Sequence, residues 1–221
     1  MSISPAVNIE RKPFVRRESD VWYRFCRAWA GGCARIYHNM SAIRPCHLPR
    51  NGPAILVSNH TSSIDPLLLQ AFSPRLIRWM MAKEYYEVKA MRWLFDTVGV
   101  ILVERSKRDM AATREAMRAL EAGYVLGVFP EGRIETTKDL IPFQIGIGLL
   151  AIKTRAPVFP SYIDGTQRNR EMVEAFIKPS SGTITFGPEL ALGDLEDSRA
   201  GIEEATRRIQ SAIETLRVSR G

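Results

Sequence analysis

The 221 residues suffice for one sizeable domain, and a content of 45% hydrophobic and 25% charged residues is that of an ordinary globular protein. The net charge of +7 favours an anionic partner, such as a phospholipid surface, a phosphate-bearing substrate or nucleic acid. No run of about 18 apolar residues and no signal-peptide pattern is present, so we expect neither a membrane-spanning helix nor a secretory leader.

The cysteines and two of the histidines point away from metal chemistry. Cys26, Cys33 and Cys46 have no Cys-x-x-Cys spacing and no nearby cluster suited to zinc, so free thiols are expected. His38 and His47 have no aspartate at a useful spacing and are interpreted as structural. The sequence therefore predicts no metal and no bound cofactor.

Residues 1–48 are predicted to form a basic tail and an amphipathic helix. The helix is expected from about Asp20 to Asn39, with Gly31-Gly32 as a point of kinking. Two interpretations are open: a helix lying in the lipid headgroup plane, or an ordinary helix packed on the domain. The apolar face, with arginines opposite, consists of Trp22, Phe25, Cys26, Trp29, Cys33, Ile36 and Tyr37.

After a proline-containing connector over 40–53, strand-like and helix-like segments alternate. Short apolar runs predict strands over 54–57, 76–82, 99–103, 124–129, 158–163 and 183–186. Helices are predicted from Pro66 and over 84–98, 109–122, 143–154 and 197–218. This alternation predicts an α/β fold with a single mixed, largely parallel sheet flanked by helices over residues 49–221.

The most informative stretch follows the first strand of this region. His60 lies where that strand ends, in a polar turn that leads to a helix with Pro66 at its start. Four residues separate His60 from Asp65, and a turn of that length can bring the carboxylate back onto one imidazole nitrogen, as in the base-and-orienter half of a catalytic triad. The alternative interpretation is that Asp65 only caps the helix.

These residues begin four ordered blocks that resemble the glycerolipid acyltransferase family, most closely the bacterial 1-acyl-sn-glycerol-3-phosphate acyltransferases. The resemblance covers the chain from about residue 49 to its end and implies a glycerol-3-phosphate acyltransferase-like fold. Two departures concern the acyl acceptor, because Arg133 follows Gly132 without the usual threonine and Gln144 stands where the family commonly has lysine. The blocks are Asn59-His60 with Asp65, Gly99-Val100-Ile101 leading to Arg105, Phe129-Pro130-Glu131-Gly132, and Ala156-Pro157-Val158-Phe159-Pro160.

The resemblance implies transfer of a fatty acyl group from acyl-CoA or acyl carrier protein to the free hydroxyl of a lysophospholipid. His60, oriented by Asp65, is then the general base. Arg105 would grip the acceptor phosphate, although a surface ion pair with a neighbouring carboxylate is the alternative for this residue. Glu131 and Gly132 would bind the glycerol phosphate, and Lys83 and Arg133 are secondary phosphate candidates that are more often solvated charges.

The predicted product is phosphatidic acid, made from 1-acyl-sn-glycerol-3-phosphate at the cytoplasmic face of the cell membrane by a peripheral or monotopic protein. One alternative is the same reaction on another lysolipid, such as a lyso-ornithine lipid. A second is a non-catalytic basic protein that binds membranes or nucleic acid; the basic residues are dispersed and no nucleic-acid motif is present, so no nucleic-acid partner is expected.

Overall fold

The computed structural model describes residues 21–88, 91–104, 109–134, 140–167 and 172–219. Its centre is one sheet in the order β1-β7-β6-β2-β5-β3-β4. All neighbouring pairs are parallel except β6 and β7, so the sheet is mixed and largely parallel, as predicted. The strands are β1 (Met40–Arg44), β2 (Ala54–Ser58), β3 (Ile77–Ala82), β4 (Ile101–Val103), β5 (Val125–Val128), β6 (Val158–Asp164) and β7 (Gly182–Phe186).

Helices cover both faces of the sheet. They are α1 (Val21–Gly32), α2 (Asp65–Phe72), α3 (Arg92–Val98), α4 (Met110–Glu121), α5 (Gly146–Thr154), α6 (Met172–Ile177) and α7 (Arg199–Val218). In β2, Ile55 and Val57 pack with α4, α5 and α7, whereas Ala54 and Leu56 pack with α1, α2 and α6. Every residue of this middle strand is buried, which explains its unbroken apolar sequence.

Two local predictions were wrong. Met40–Arg44 is not a connector but the edge strand β1, paired in parallel with β7. The predicted helix over 84–98 is not continuous: Lys83–Glu87 is a 3₁₀ helix, and α3 begins only at Arg92. The functional division of the chain after residue 48 stays a prediction.

The N-terminal helix packs small residues on the domain and exposes large apolar ones. After Gly31-Gly32 it changes to a π-helix over Cys33–Tyr37, so the glycine pair does mark a break. Its small residues Ala30 and Ala34 are buried against the domain. Large apolar residues face outward instead, with exposed fractions of 60% for Phe25, 53% for Trp29, 86% for Ile36 and 45% for Tyr37.

Other residues of this predicted face are only partly described. The side chains of Trp22 and Cys26, and the whole tail 1–20, lie outside the described residues. Cys33 and Cys46 are free thiols, and burial raises the pKa of Cys46 to about 11. Within the described ranges, no helix combines the length and apolar character needed to cross a membrane.

The buried His38 is expected to make the stability of the fold depend on pH. Its Nδ1 accepts the backbone N–H of Ser180 at 3.2 Å, and burial lowers the pKa of His38 from its usual value near 6.5. Above that value His38 is neutral whether the chain is folded or unfolded. As the pH falls below this usual value, the unfolded chain takes up a proton on His38 that the folded chain does not bind, so the free energy of unfolding decreases. The total decrease is about 1.4 kcal/mol for each pH unit by which the pKa of His38 is lower in the folded chain than in the unfolded chain.

Denaturant unfolding of the wild type and of His38→Asn at neutral and mildly acidic pH measures this term. The asparagine amide oxygen can still accept the Ser180 N–H but does not titrate, so the variant is expected to lose less stability on acidification. Equal losses in both proteins would mean that His38 does not contribute.

Candidate active site

His60 is held at the carboxyl end of β2 by its neighbour Asn59. The Asn59 amide donates from Nδ2 to the carbonyl of Ile163 at 2.9 Å, and its Oδ1 accepts the N–H of Ile163 at 2.8 Å. This pair of hydrogen bonds continues the ladder between β2 and β6 past the last residue of β2. These hydrogen bonds therefore fix the backbone directly before His60. The His60 side chain is 12% exposed.

The His60–Asp65 contact predicted from the sequence is present. Asp65 is fully buried, and its Oδ2 lies 3.1 Å from His60 Nδ1. The same oxygen accepts the backbone N–H groups of Thr61 at 2.7 Å and Ser62 at 2.8 Å. Because a carboxylate only accepts, Nδ1 must carry the proton, which leaves Nε2 as the unprotonated, basic nitrogen.

The alternative role for Asp65, a simple helix cap, does not fit these contacts. Asp65 is the first residue of α2, the N-cap position is occupied by Ile64, and no side chain caps the helix. The carboxylate turns back to the residues that precede it. It therefore both folds the turn and orients the imidazole.

One face of the imidazole is covered by an aromatic stack. The His60 and Phe129 rings are 4.1 Å apart at 16°, and Phe129 stacks in turn on Trp79 at 4.8 Å and 11°. Gly127 makes room for this arrangement, since a Cβ there would lie 2.3 Å from the Trp79 ring. An aromatic face attracts a cation, so the stack favours the imidazolium that forms when His60 accepts a proton.

Glu131 and Gly132 lie in the turn after β5, beside His60. Glu131 is only 4% exposed, and its Oε1 accepts the backbone N–H of His60 at 3.1 Å. Gly132 has a φ of +69°, which a residue with a side chain rarely adopts. The Gln144 side chain packs over Gly132. One of the two positions that depart from the family pattern therefore lies directly against this turn.

His60 opens into a large cavity with mostly apolar walls. Its volume of 1120 Å³ is slightly larger than the usual range of ligand sites, roughly 300–1,000 Å³. His60, Ser63, Gly132 and Gln144 are among the residues that line it. The stretch from Trp79 to Phe95 contributes many of its wall residues, namely Trp79, Met80, Met81, Ala82, Tyr85, Met91, Leu94 and Phe95.

The cationic candidates are less closely tied to this cavity. Lys83 and Arg133 are exposed, and neither is among the described residues that line it. Arg105 lies outside the described residues. Its neighbours Glu104 and Asp109 do line the cavity, and Asp109 caps α4 by accepting the N–H groups at its start.

No group of three or more metal-ligating side chains occurs in the described ranges. Asn59 and Phe129 belong to the sequence blocks, but the sequence did not predict the hydrogen bonds of Asn59 to Ile163 or the stacking of Phe129 on Trp79. Both contacts join elements far apart in the chain, so local sequence patterns do not indicate them.

Comparison with known proteins matches residues 39–164 to the acyltransferase family model. The chain belongs to the acyltransferase family. The matched range begins at β1 and includes all seven predicted site residues. Two similar proteins are named 1-acyl-sn-glycerol-3-phosphate acyltransferase. The one from Cocos nucifera is 26% identical over 152 residues, which cover 67% of this chain and 49% of the relative. The one from Helicobacter pylori is 28% identical over 130 residues, covering 57% and 55%.

The chain thus spans about half the length of these relatives. A solved structure, the lysophosphatidic acid acyltransferase PlsC from Thermotoga maritima, superimposes with a TM-score of 0.70 over 93% of this chain and 85% of that one, at 18% identity. At that identity the likeness concerns the fold, and it confirms the acyltransferase architecture expected from the sequence.

Proposed function

We propose that this protein transfers a fatty acyl group from acyl-CoA or acyl carrier protein to the free hydroxyl of 1-acyl-sn-glycerol-3-phosphate, giving phosphatidic acid. The observation that carries the proposal is the His60–Asp65 pair, which opens into an apolar cavity large enough for a ligand of lipid size. The names of the similar proteins support the same acceptor.

In the proposed reaction His60 Nε2 takes the proton of the acceptor hydroxyl while the hydroxyl oxygen attacks the thioester carbonyl. The carbon–sulfur bond then breaks, and the imidazolium returns the proton to the leaving thiolate. Asp65 and Phe129 stabilise the imidazolium between these steps. General-base assistance of this kind contributes about 10²–10⁴-fold to the rate. The transfer is direct, without an acyl-enzyme.

The acceptor phosphate is assigned to Arg105, with Lys83 and Arg133 as secondary cations and Gly132 offering backbone groups. Glu131 cannot attract a phosphate, because both are negative. We assign its carboxylate to holding the His60 backbone, a contact of 3.1 Å, and to accepting a hydrogen bond from the glycerol of the acceptor.

We place the protein at the cytoplasmic face of the cell membrane, bound peripherally or as a monotopic protein. The support is the outward-facing apolar side of α1 and the π-helix, above all Trp29 and Ile36. Membrane lipid would then supply the acceptor, and the acyl donor would come from solution.

A second acceptor is favoured by one observation. Gln144 packs over Gly132 and places a neutral amide in the lining of the cavity. A neutral group discriminates less strongly for a phosphate monoester than a lysine does, which suits the same chemistry on a lyso-ornithine lipid or another lysophospholipid.

The test is an acceptor panel at a fixed acyl-CoA concentration, with the lipid products identified by mass spectrometry. We expect the highest kcat/KM with 1-acyl-sn-glycerol-3-phosphate. A clear preference for lyso-ornithine lipid or a lysophosphodiester would replace the acceptor but keep the reaction. The absence of acyl transfer to every acceptor, with both acyl-CoA and acyl carrier protein as donors, would contradict the proposal.

A further inference from the structure

A second cleft lies on the N-terminal side of the molecule, between α1 and α2. Its volume is 520 Å³, and none of the described residues that line it is acidic or lines the catalytic cavity. Three of its residues are arginines and two are glycines. The lining residues are Arg24, Arg27, Ala28, Gly31, Gly32, Arg35, Ile36 and Ala71.

The geometry of α1 brings the arginines together. Positions 24, 27 and 31 are three or four residues apart, so they follow one face of α1. Arg35 lies in the π-helix that continues α1 and lines the same cleft. Arg35 is fixed over the ring of Phe72, 4.3 Å from its centroid, and its Nη1 lies 3.3 Å from the carbonyl of Gly31. A Cβ at Gly31 would come within 3.0 Å of that Nη1, so glycine keeps the floor of the cleft open.

The other two cations, Arg24 and Arg27, are exposed and line the cleft three residues apart on α1. Guanidinium groups bind phosphate oxygens in two-pronged fashion. Three of them line this cleft, and no carboxylate lines it within the described part of the chain, so the cleft suits an anion.

The surroundings indicate that the anion is attached to a lipid. Ile36 lines the cleft and is 86% exposed, and Phe25 and Trp29 are exposed on the adjoining face of the same helix. Free phosphate would leave these apolar side chains in water. An anionic lipid would place its phosphate among the arginines and its acyl chains beside the apolar residues.

We propose that the cleft formed by Arg24, Arg27 and Arg35 binds the phosphate of an anionic membrane lipid and thereby docks the protein on the bilayer. The inference rests on the proposed membrane location but not on the acyl acceptor. It assigns α1 a headgroup site separate from the catalytic cavity.

The experiment measures sedimentation of the full chain with phosphatidylcholine vesicles, with and without a minority of phosphatidylglycerol. The test variant is Arg24→Gln/Arg27→Gln. The matched control is Arg114→Gln/Arg118→Gln, which removes the same charge from exposed positions on α4, a helix on the opposite face of the sheet. Acyl transfer to lysophosphatidic acid in detergent micelles and thermal unfolding are recorded for every protein.

We expect the wild type and the control pair to bind the anionic vesicles equally well. The test pair should bind them roughly 30-fold more weakly, since each arginine near an anionic surface strengthens binding about fivefold. Unfolding temperature and micelle activity should be unchanged in both pairs, because neither contacts the catalytic cavity.

Equal weakening in both pairs would show that total charge alone is responsible, and unchanged binding of the test pair would also overturn the proposal. So would a wild type that binds inorganic phosphate but binds the anionic vesicles no more strongly than the phosphatidylcholine vesicles, because the cleft would then take free phosphate and no lipid. A wild type without micelle activity would contradict the proposed function, while the vesicle comparison would still decide the role of the cleft.

Discussion

Replacing His60 by alanine is expected to lower kcat for acyl transfer by about 10²–10⁴-fold, the usual contribution of a general base. A hydroxyl does not lose its proton at neutral pH, so without Nε2 the attack on the thioester has no acceptor for that proton. The KM of the acceptor should change little, because its phosphate and acyl chain bind elsewhere. Steady-state kinetics with acyl-CoA and lysophosphatidic acid measures both constants.

Ser63→Ala is the matched control. Ser63 lines the same cavity, and its Oγ is buried without a hydrogen-bond partner in the described part of the chain. Direct transfer predicts near wild-type kcat for this variant. Loss of activity in Ser63→Ala would point to a serine acyl-enzyme and would contradict direct transfer. Full activity in His60→Ala would contradict the role given to His60.

Most of the sheet is predictable because its strands carry their burial in their own sequence. The five residues of β2 are all buried, and the apolar run at 54–57 predicts this strand directly. β1 is different. Only Met40 of its five residues is buried, and the strand exists because it pairs with β7, about 140 residues later. An edge strand with so little burial leaves no local pattern.

The same distinction applies to the candidate site. His60 and Asp65 are close in the sequence, with four residues between them, so their spacing was enough to predict the contact. Nδ1 of His60 lies 3.1 Å from Oδ2 of Asp65. The stack of Trp79 on Phe129 on His60 needs Trp79 of β3 to lie beside the residues that follow β5 and β2. This arrangement depends on the order β2-β5-β3 in the sheet. Strand order is a property of the whole fold, and no single segment encodes it.

The N-terminal helix shows a third case, in which the sequence indicates an apolar face but not whether that face packs on the domain or points outward. A stripe of large apolar residues usually marks the face that packs on a core. Here the packing face is made of Ala30 and Ala34, whose small side chains let the helix approach α2, while Phe25 and Trp29 point outward. Which face of α1 packs on the domain depends on the size of the space beside α2. The sequence of α1 alone carries no information about that space.

Asp65→Asn is expected to lower kcat by roughly 10²–10⁴-fold while the turn keeps its shape. The amide oxygen can take the place of Oδ2 and accept the N–H groups of Thr61 and Ser62, now at 2.7 and 2.8 Å. What the variant loses is the negative charge beside Nδ1, which stabilises the imidazolium as His60 accepts the proton. The loss should therefore appear in kcat, with a smaller change in the KM of the acceptor.

Asp65→Ala separates this electrostatic role from the structural one. It leaves two backbone N–H groups in a buried turn without an acceptor, which is expected to cost about 1–3 kcal/mol for each, measured as a fall in the free energy of unfolding. Asp65→Asn should lose activity but little stability, and Asp65→Ala should lose both. If Asp65 only folded the turn, the asparagine variant would retain near wild-type kcat, and the charge would have no part in the reaction.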